Sequence, residues 1–358
     1  MSRTEINNDN IKSGGSFFNS SSDPTVSSNT VNGLPLIVGQ VWLNTTSGEM
    51  FSCTDATTDA NVWTNIGDGT GSVKNNYMDA QGGTITTDGS YRVHTFNTSG
   101  TFTPVIGDAG LGDFVEYLVI AGGGSGGHSY GGGGGAGGLV YNTGHTITTQ
   151  AYTITIGGGG AGKTASGLGN VGTDTTALTI TGKGGGAGRV GASDNGDGGS
   201  GGGGGHTVVG GATIQSSQSG DSGTYGFGFA GGTGNASPNY NTGGGGGAGS
   251  VGADATTLQS GNGGVGKDYS SIFGTGVGDS GWFASGGGGG ATLDGSTLKG
   301  TASSGGGTDG SSDTSAAPST ASLAAAANTG GGSGGGSNHS GSGNGGSGVV
   351  IIRYKFKC

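Results

Sequence analysis

Gly157–Thr164 has the spacing G-x-x-x-x-G-K-[ST], closed by Lys163 and Thr164 and preceded by the alternating run Tyr152–Ile156. In a phosphate-binding loop of that spacing, backbone amides and a lysine cradle the anion, and the N-terminus of a succeeding helix faces it. The next residues in this chain are Ala165-Ser-Gly-Leu-Gly-Asn-Val-Gly172, which cannot sustain a helix. Nucleotide chemistry is therefore not expected. The hydrolase pattern G-x-S-x-G occurs three times, at Gly123–Gly127, Gly198–Gly202 and Gly331–Gly335. A nucleophile needs a helix behind it and a placed histidine and acid; three matches inside glycine blocks point to composition instead. Gly263–Ser271 matches most of a calcium-binding nonapeptide, but stands alone with Ser270 where a large apolar residue belongs. Asp194-Asn-Gly-Asp197 reads first as an Asx turn. His128, His206 and His339 each flank a glycine block, without the paired spacing of metal ligands. No catalytic residue, cofactor or metal is expected.

The remaining residue types able to do something specific are aromatic. Tyr130, Tyr225, Phe227, Phe229, Tyr240, Tyr269, Phe273 and Trp282 lie in the segments between glycine blocks. Rings on glycine-flanked loops offer large contact area at low entropic cost, which suits recognition of saccharide or protein loops. The same rings also serve as filler for a lattice that has few other large side chains. Both readings stand for each ring, with Trp282 leaning to packing and Tyr225–Phe229 to contact.

The elements that must hold them are set by composition. The chain has 358 residues, of which 96 are glycine, and only 9% are charged and 29% hydrophobic. Glycine costs roughly 0.5–1 kcal/mol per position in a helix or strand relative to alanine, so an ordinary α/β or helical enzyme is excluded. Collagen is excluded as well, because the glycines come in blocks without a three-residue period and proline is scarce. A net charge of −10 and the lack of a basic stripe exclude nucleic acid as a partner. Two cysteines, Cys53 and Cys358, make neither a disulfide scaffold nor a zinc module. The start of the chain has no apolar signal region, and no run reaches the length of a membrane span.

Glycine is concentrated in residues 121–348, in blocks of five to eight such as 122–127, 131–138, 157–162, 198–205, 243–249, 286–290 and 330–336. Such a block fits a polyproline-II rod of about 15–25 Å at the 3.1 Å rise of that helix. With no Cβ on any face, neighbouring rods can approach closely enough for hydrogen bonds between them. The strongest strand patterns, Phe114–Ile120 and Val349–Lys357, bracket the glycine region, as if the chain leaves a sheet, makes a long excursion and returns to close it. Val349–Lys357 is expected to pair with Phe114–Ile120 or with Tyr152–Ile156. The expected class is mainly β with a polyglycine-II rod bundle and almost no helix. Residues 1–75 form an N-terminal attachment segment and short β module, in which the first thirty residues are expected to be loose or partner-dependent. Residues 76–121, completed by 139–156 and 348–358, form a β framework, and 122–347 form the rod excursion with its binding loops.

Val115-Glu-Tyr-Leu-Val-Ile-Ala-Gly-Gly-Gly124, the repeated GGGGGAGG blocks and the ending Gly345-Gly-Ser-Gly-Val-Val-Ile-Ile-Arg-Tyr354 together resemble the glycine-rich domain of bacteriophage tail-fibre proteins. Gly39–Phe51 with Asn61–Gly67 is similar to short β modules that precede such domains. The blocks also look like those of fibre-tip adhesins, in which loops between packed polyglycine-II rods touch the host receptor. The resemblance implies a non-enzymatic virion protein, extracellular after release, that recognises a host-surface glycan or outer-membrane protein loop. It further implies contact with other tail proteins through residues 1–75 and a homo-oligomer such as a trimer. One departure is that this chain carries its own N-terminal module, whereas those adhesins are separate tip proteins. Two rival readings are a structural subunit of an extracellular glycine-rich filament and, through Thr-x-Thr pairs such as Thr153/Thr155 and Thr179/Thr181, an ice-binding protein.

Overall fold

Residue 131 donates its backbone N–H to Gly336, residue 134 to Ser333 and residue 137 to Gly330, at 3.1, 2.7 and 2.8 Å. Residues 132, 135 and 138 donate instead to Arg189, Gly186 and Lys183, and residues 133 and 136 to Gly243 and Gly246. Every third residue meets the same neighbour. A β-strand would return to a neighbour every second residue, so the period of three identifies the three-fold polyproline-II helix that glycine adopts here. The computed structural model in which this is seen describes residues 17–31, 33–67, 77–106, 113–192, 195–215, 226–236, 239–291, 298–312 and 322–356.

The carbonyls of rod 131–138 obey the same rule. They accept from Ala121, Gly124 and Gly127 on one side, from Ser200 and Gly203 on a second, and from Gly287 and Gly290 on a third. The rod thus has six hydrogen-bonded neighbours: 121–127, 183–189, 199–205, 243–249, 285–290 and 330–336. These six are also bonded in a closed ring, through Gly185 to Gly122, Gly199 to Gly184, Gly243 to Gly204, Gly245 to Gly287, Gly332 to Ser285 and Gly336 to Gly127. Outer segments such as 169–173, 229–234, 260–266 and 306–311 extend the lattice. Buried peptide groups are satisfied laterally, rod to rod, and the bundle needs no oily centre.

Close approach dictates glycine. A Cβ on Gly133 would lie 2.1 Å from the Gly287 carbonyl oxygen, and one on Gly245 2.0 Å from that of Gly134. Some side chains inside rods meet the sheet rather than another rod. Ala136, Ala248 and Ala284 are fully buried against Leu118, Ile120, Leu139 and Phe283, where the bundle reaches the sheet.

That sheet has six antiparallel strands in the order Gly226–Phe227, Leu139–Thr146, Phe114–Ile120, Val349–Lys355, Tyr91–Phe96, Thr84–Asp88. Val349–Lys355 pairs with Phe114–Ile120 in the register Ile120–Val349 to Glu116–Arg353, the first of the two pairings expected. Tyr152–Ile154 pairs instead with Gly100–Val105, in a separate three-stranded sheet. The near-continuous apolar run 115–120 is explained by cover on both faces. Val115, Tyr117 and Val119 pack with Phe102, Ile154 and Tyr354 on one side; Leu118 and Ile120 pack with Tyr269 and Phe283 on the other. Strands continue directly into rods: Phe114–Ile120 into 121–127, and 131–138 into Leu139–Thr146. One end of the rods therefore abuts the sheet, and the end at residues 127–131 points away from it.

The structure divides into a unit of residues 1–75 and one of 76–358. In the first, Phe17–Ser20, Val41–Asn44, Met50–Asp55 and Val62–Asn65 form one sheet, the first two strands parallel and the rest antiparallel. The turn between the second and third is held by Asn44, whose Oδ1 accepts the amides of Thr46 and Ser47, and by Gly48 at φ 75°. The expectation of a loose first thirty residues is corrected from residue 17 onward. Phe18 packs its ring 4.3 Å from that of Trp42, which lies 5.6 Å from Trp63, and this contact orders the strand. Cys53 is buried beside them as a free thiol, its pKa raised by desolvation.

Candidate functional site

The three G-x-S-x-G serines, Ser125, Ser200 and Ser333, are fully buried within rods. Ser333 Oγ accepts the Gly126 amide at 3.1 Å and donates to the Gly343 carbonyl; Ser125 Oγ accepts the Asn170 amide at 2.8 Å. They are lattice members, closed to substrate. Gly157–Gly162 is likewise a rod segment, and no helix comes after Lys163 among the neighbouring described residues. Asp268 accepts the Ser270 amide at the start of the four-residue helix Ser270–Phe273. Asp194 lies outside the described residues. No group of three or more His, Cys, Asp or Glu suited to a metal occurs among the described residues.

The aromatic residues separate into two sets at opposite ends of the rods, roughly 25 Å apart for eight residues at 3.1 Å each. At the sheet end, Phe227 pairs with Leu139, and Lys267 Nζ sits 3.8 Å above its ring. Phe229 is 36% exposed. Of the two readings left open for Tyr269, packing is the one its position fits: it is 4% exposed and lies 4.8 Å from the ring of Tyr141, not on a surface a receptor could reach. The apolar face of the six-stranded sheet needs a cover, and Tyr269 with Phe273 supplies it. Trp282 is half-buried and pairs with Asp268 in a two-stranded ribbon. Arg353 is clamped nearby by an ion pair with Glu116 and a 2.6 Å bond to the Ile272 carbonyl. Tyr141 also donates to Glu116, and burial raises its pKa strongly. Tyr225 lies outside the described residues.

At the free end the structure brings together Tyr130 and Tyr240, and adds His206. Their ring centroids are 5.6 Å (Tyr130–His206), 5.5 Å (His206–Tyr240) and 6.3 Å (Tyr130–Tyr240) apart, with interplanar angles of 69–83°. Each ring thus turns an edge toward its neighbours, the favoured geometry for aromatic quadrupoles. Tyr240 is 42% exposed and the other two are half-buried. His128 Nδ1 and Ser129 Oγ are 2.6 Å apart, and Ser129 donates to the Asn338 carbonyl, tying a fourth loop to the same rim.

The backbone there is unusual. Ser129, Tyr130, Thr207 and Tyr240 adopt φ of 51°, 59°, 59° and 47°, a left-handed conformation costing about 1–2 kcal/mol for a residue with a Cβ. Non-glycine residues retained in it are a pointer to function. In these loops His206 Nδ1 and Asn241 Oδ1 are buried with no hydrogen-bond partner among the described residues. Asn241 is fully buried, and its Nδ2 is fixed by the Thr256 carbonyl at 2.8 Å. Loops 127–131, 205–209, 239–242 and 336–341 contain no Asp, Glu, Lys or Arg. The arrangement can stack on and hydrogen-bond to a neutral partner.

Neither His206 nor Asn241 is a contact residue on the sequence reading. A signal did exist, because Tyr130 directly precedes one glycine block, His206 directly succeeds another, and Asn241 lies two residues before a third. Residues 131–138 run antiparallel to 198–205, which sets the start of one block beside the end of the other, and parallel to 243–249, which sets the two starts together.

No curated protein matches the chain. Residues 95–355, which include the strands Phe114–Ile120, Leu139–Thr146 and Val349–Lys355 and the rods between them, match the model of a family described as a glycine-rich domain, and the chain belongs to that family.

Proposed function

We propose that the chain is a non-enzymatic bacteriophage tail-fibre protein or adhesin that recognises a host-cell surface receptor through loops at the free end of the rods. The observation that carries this reading is the rim of Tyr130, His206 and Tyr240, mounted on a lattice whose backbone is hydrogen-bonded on all sides. Loops on a rigid scaffold are where recognition concentrates. In this reading residues 1–75 join the chain to other virion proteins, the assembly is a homo-oligomer, and the protein is extracellular after release. The exposed edge strand Thr84–Asp88, all five residues accessible to solvent, favours a second reading as a subunit of an extracellular filament, since unpaired edges template pairing between copies.

Gold-labelled antibody against residues 76–358, imaged by electron microscopy, separates the two. Label at the far end of a particle's tail, with purified full-length chain competing for particle adsorption to cells, is the expected result. Label repeating along a filament would replace the attachment reading with the structural one.

A further inference from the structure

We infer that the rim built by Tyr130, His206, Tyr240 and Asn241 is a binding site for a neutral saccharide. This rests on the attachment reading above and commits it to one class of ligand. Three observations select the class. The first is charge: the four loops that make the rim contain no Asp, Glu, Lys or Arg. Arg189, on a neighbouring rod, has its guanidinium bonded to the carbonyls of Val209 and Ala192 at 2.7 and 2.8 Å. Recognition of phosphate, sulfate or carboxylate groups draws on arginine or lysine forks, and the four loops contain neither residue.

The second is the pairing of ring faces with fixed hydrogen-bonding groups. Sugar rings offer patches of C–H for stacking and a fringe of hydroxyls that both donate and accept. The exposed Tyr240 ring supplies a stacking surface. His206 Nδ1 and Asn241 Oδ1, buried and unpartnered, supply hydrogen-bonding capacity that the fold leaves unused. Leaving such groups unmet is costly, so a ligand hydroxyl that reaches them gains more than it would at a hydrated site. The third concerns protein ligands. The described rim loops contain no strand whose edge an extended peptide could join, one common mode of peptide capture. Backbone held in left-handed conformation on short loops also presets the ring positions and lowers the ordering cost of binding a weak, hydroxyl-rich ligand.

The test applies fluorescently labelled full-length chain to an array of neutral, sialylated, sulfated and phosphorylated glycans. Dose-dependent binding to neutral glycans is expected, changing by less than about twofold between low and high salt, since no charge pair is there to be screened. The double variant Tyr130→Gly/Tyr240→Gly should bind at least about tenfold more weakly, the loss expected when stacking rings are removed. Glycine suits the left-handed backbone at both positions, so its melting temperature should equal or exceed that of the parent. Should it fall, Tyr240→Ala, at an exposed ring, gives the same reading. Phe227→Ser/Phe229→Ser, at the sheet end, should bind like the parent. Binding only to charged glycans, no binding to any neutral glycan, or undiminished binding by the rim variants overturns the inference. Adsorption of the chain to a panel of bacterial cells identifies which idea has failed. Adsorption that survives periodate oxidation of the cells but not protease means a protein ligand with the attachment reading intact. Adsorption to no cell removes both.

Discussion

His94 lies fully buried in the six-stranded sheet, its Nδ1–H donating to the Gly82 carbonyl at 2.7 Å and its Nε2 facing the Tyr354 hydroxyl at 3.2 Å. Desolvation lowers its pKa, with the Gly82 bond opposing and Arg92 adding to the shift; Asp79 also opposes it. Tyr354, stacked on it, is pushed up to about 12 by burial. In the unfolded chain a histidine titrates near 6.5. Below that pH the unfolded chain takes up a proton that the native state refuses, so stability is complete above about pH 6.5 and declines as pH falls toward the depressed native pKa. The melting temperature should therefore drop as pH is lowered from about 7.5 to about 5. His94→Gln, which does not titrate, should flatten that slope; parallel slopes would assign the pH dependence elsewhere. A second contrast concerns serines of identical motif. Ser333→Ala removes two buried hydrogen bonds and should cost about 1–3 kcal/mol. Ser200→Ala removes a buried hydroxyl that has no partner and should be neutral or stabilising in the same denaturation assay.

At the scale of elements, the rod is a unit that tolerates no side chain on its inner faces. Gly133→Val should destabilise by about 3 kcal/mol or more, because the obstructing atom is a neighbouring carbonyl fixed by its own bonds rather than a movable side chain. Gly276→Ala, where a Cβ would meet nothing within 4 Å, should stay within about 0.5 kcal/mol. Equal losses at the two sites in chemical denaturation would contradict lateral rod packing. Val349–Lys355 is the complementary case among strands. It sits between Phe114–Ile120 and Tyr91–Phe96 and is bonded to both. Deleting residues 349–358 leaves two apolar edges open, and unpaired edges of that kind aggregate. Insoluble protein is expected on expression; a soluble truncation with native circular dichroism would show that the sheet closes without its last strand.

Across the whole chain the balance between peptide and hydrocarbon burial departs from that of an ordinary domain. The lattice buries backbone amides and carbonyls extensively, while large apolar side chains concentrate around two faces of one sheet and a small N-terminal cluster. Exposing apolar surface raises the heat capacity on unfolding and exposing polar surface lowers it. The heat-capacity increment measured by calorimetry should thus fall below the usual value of about 12–15 cal/mol/K per residue, to under about 10. A value in the ordinary range would mean that a hydrophobic core, and not the hydrogen-bonded lattice, dominates the folded state.

Much of this architecture is legible in the sequence because its cause is local. Blocks of glycine admit close backbone packing, and β-branched runs such as Val349–Ile352 specify strands whatever surrounds them. The three-fold rod and the bracketing sheet come from composition and from the apolar strand patterns at either end of the glycine region. Only the tertiary structure decided which rings share a surface. Glycine blocks are nearly identical to one another, so nothing in the sequence distinguishes which six surround residues 131–138, or which end of each faces the sheet. Those choices are made by register: the strand at 114–120 fixes the start of one rod, each reversal passes the register on, and the lattice then places Tyr130, His206 and Tyr240 side by side across 110 positions of chain. The same register carries Tyr269 inward, where an apolar sheet face needed a cover, and so separates packing rings from exposed ones of the same residue type.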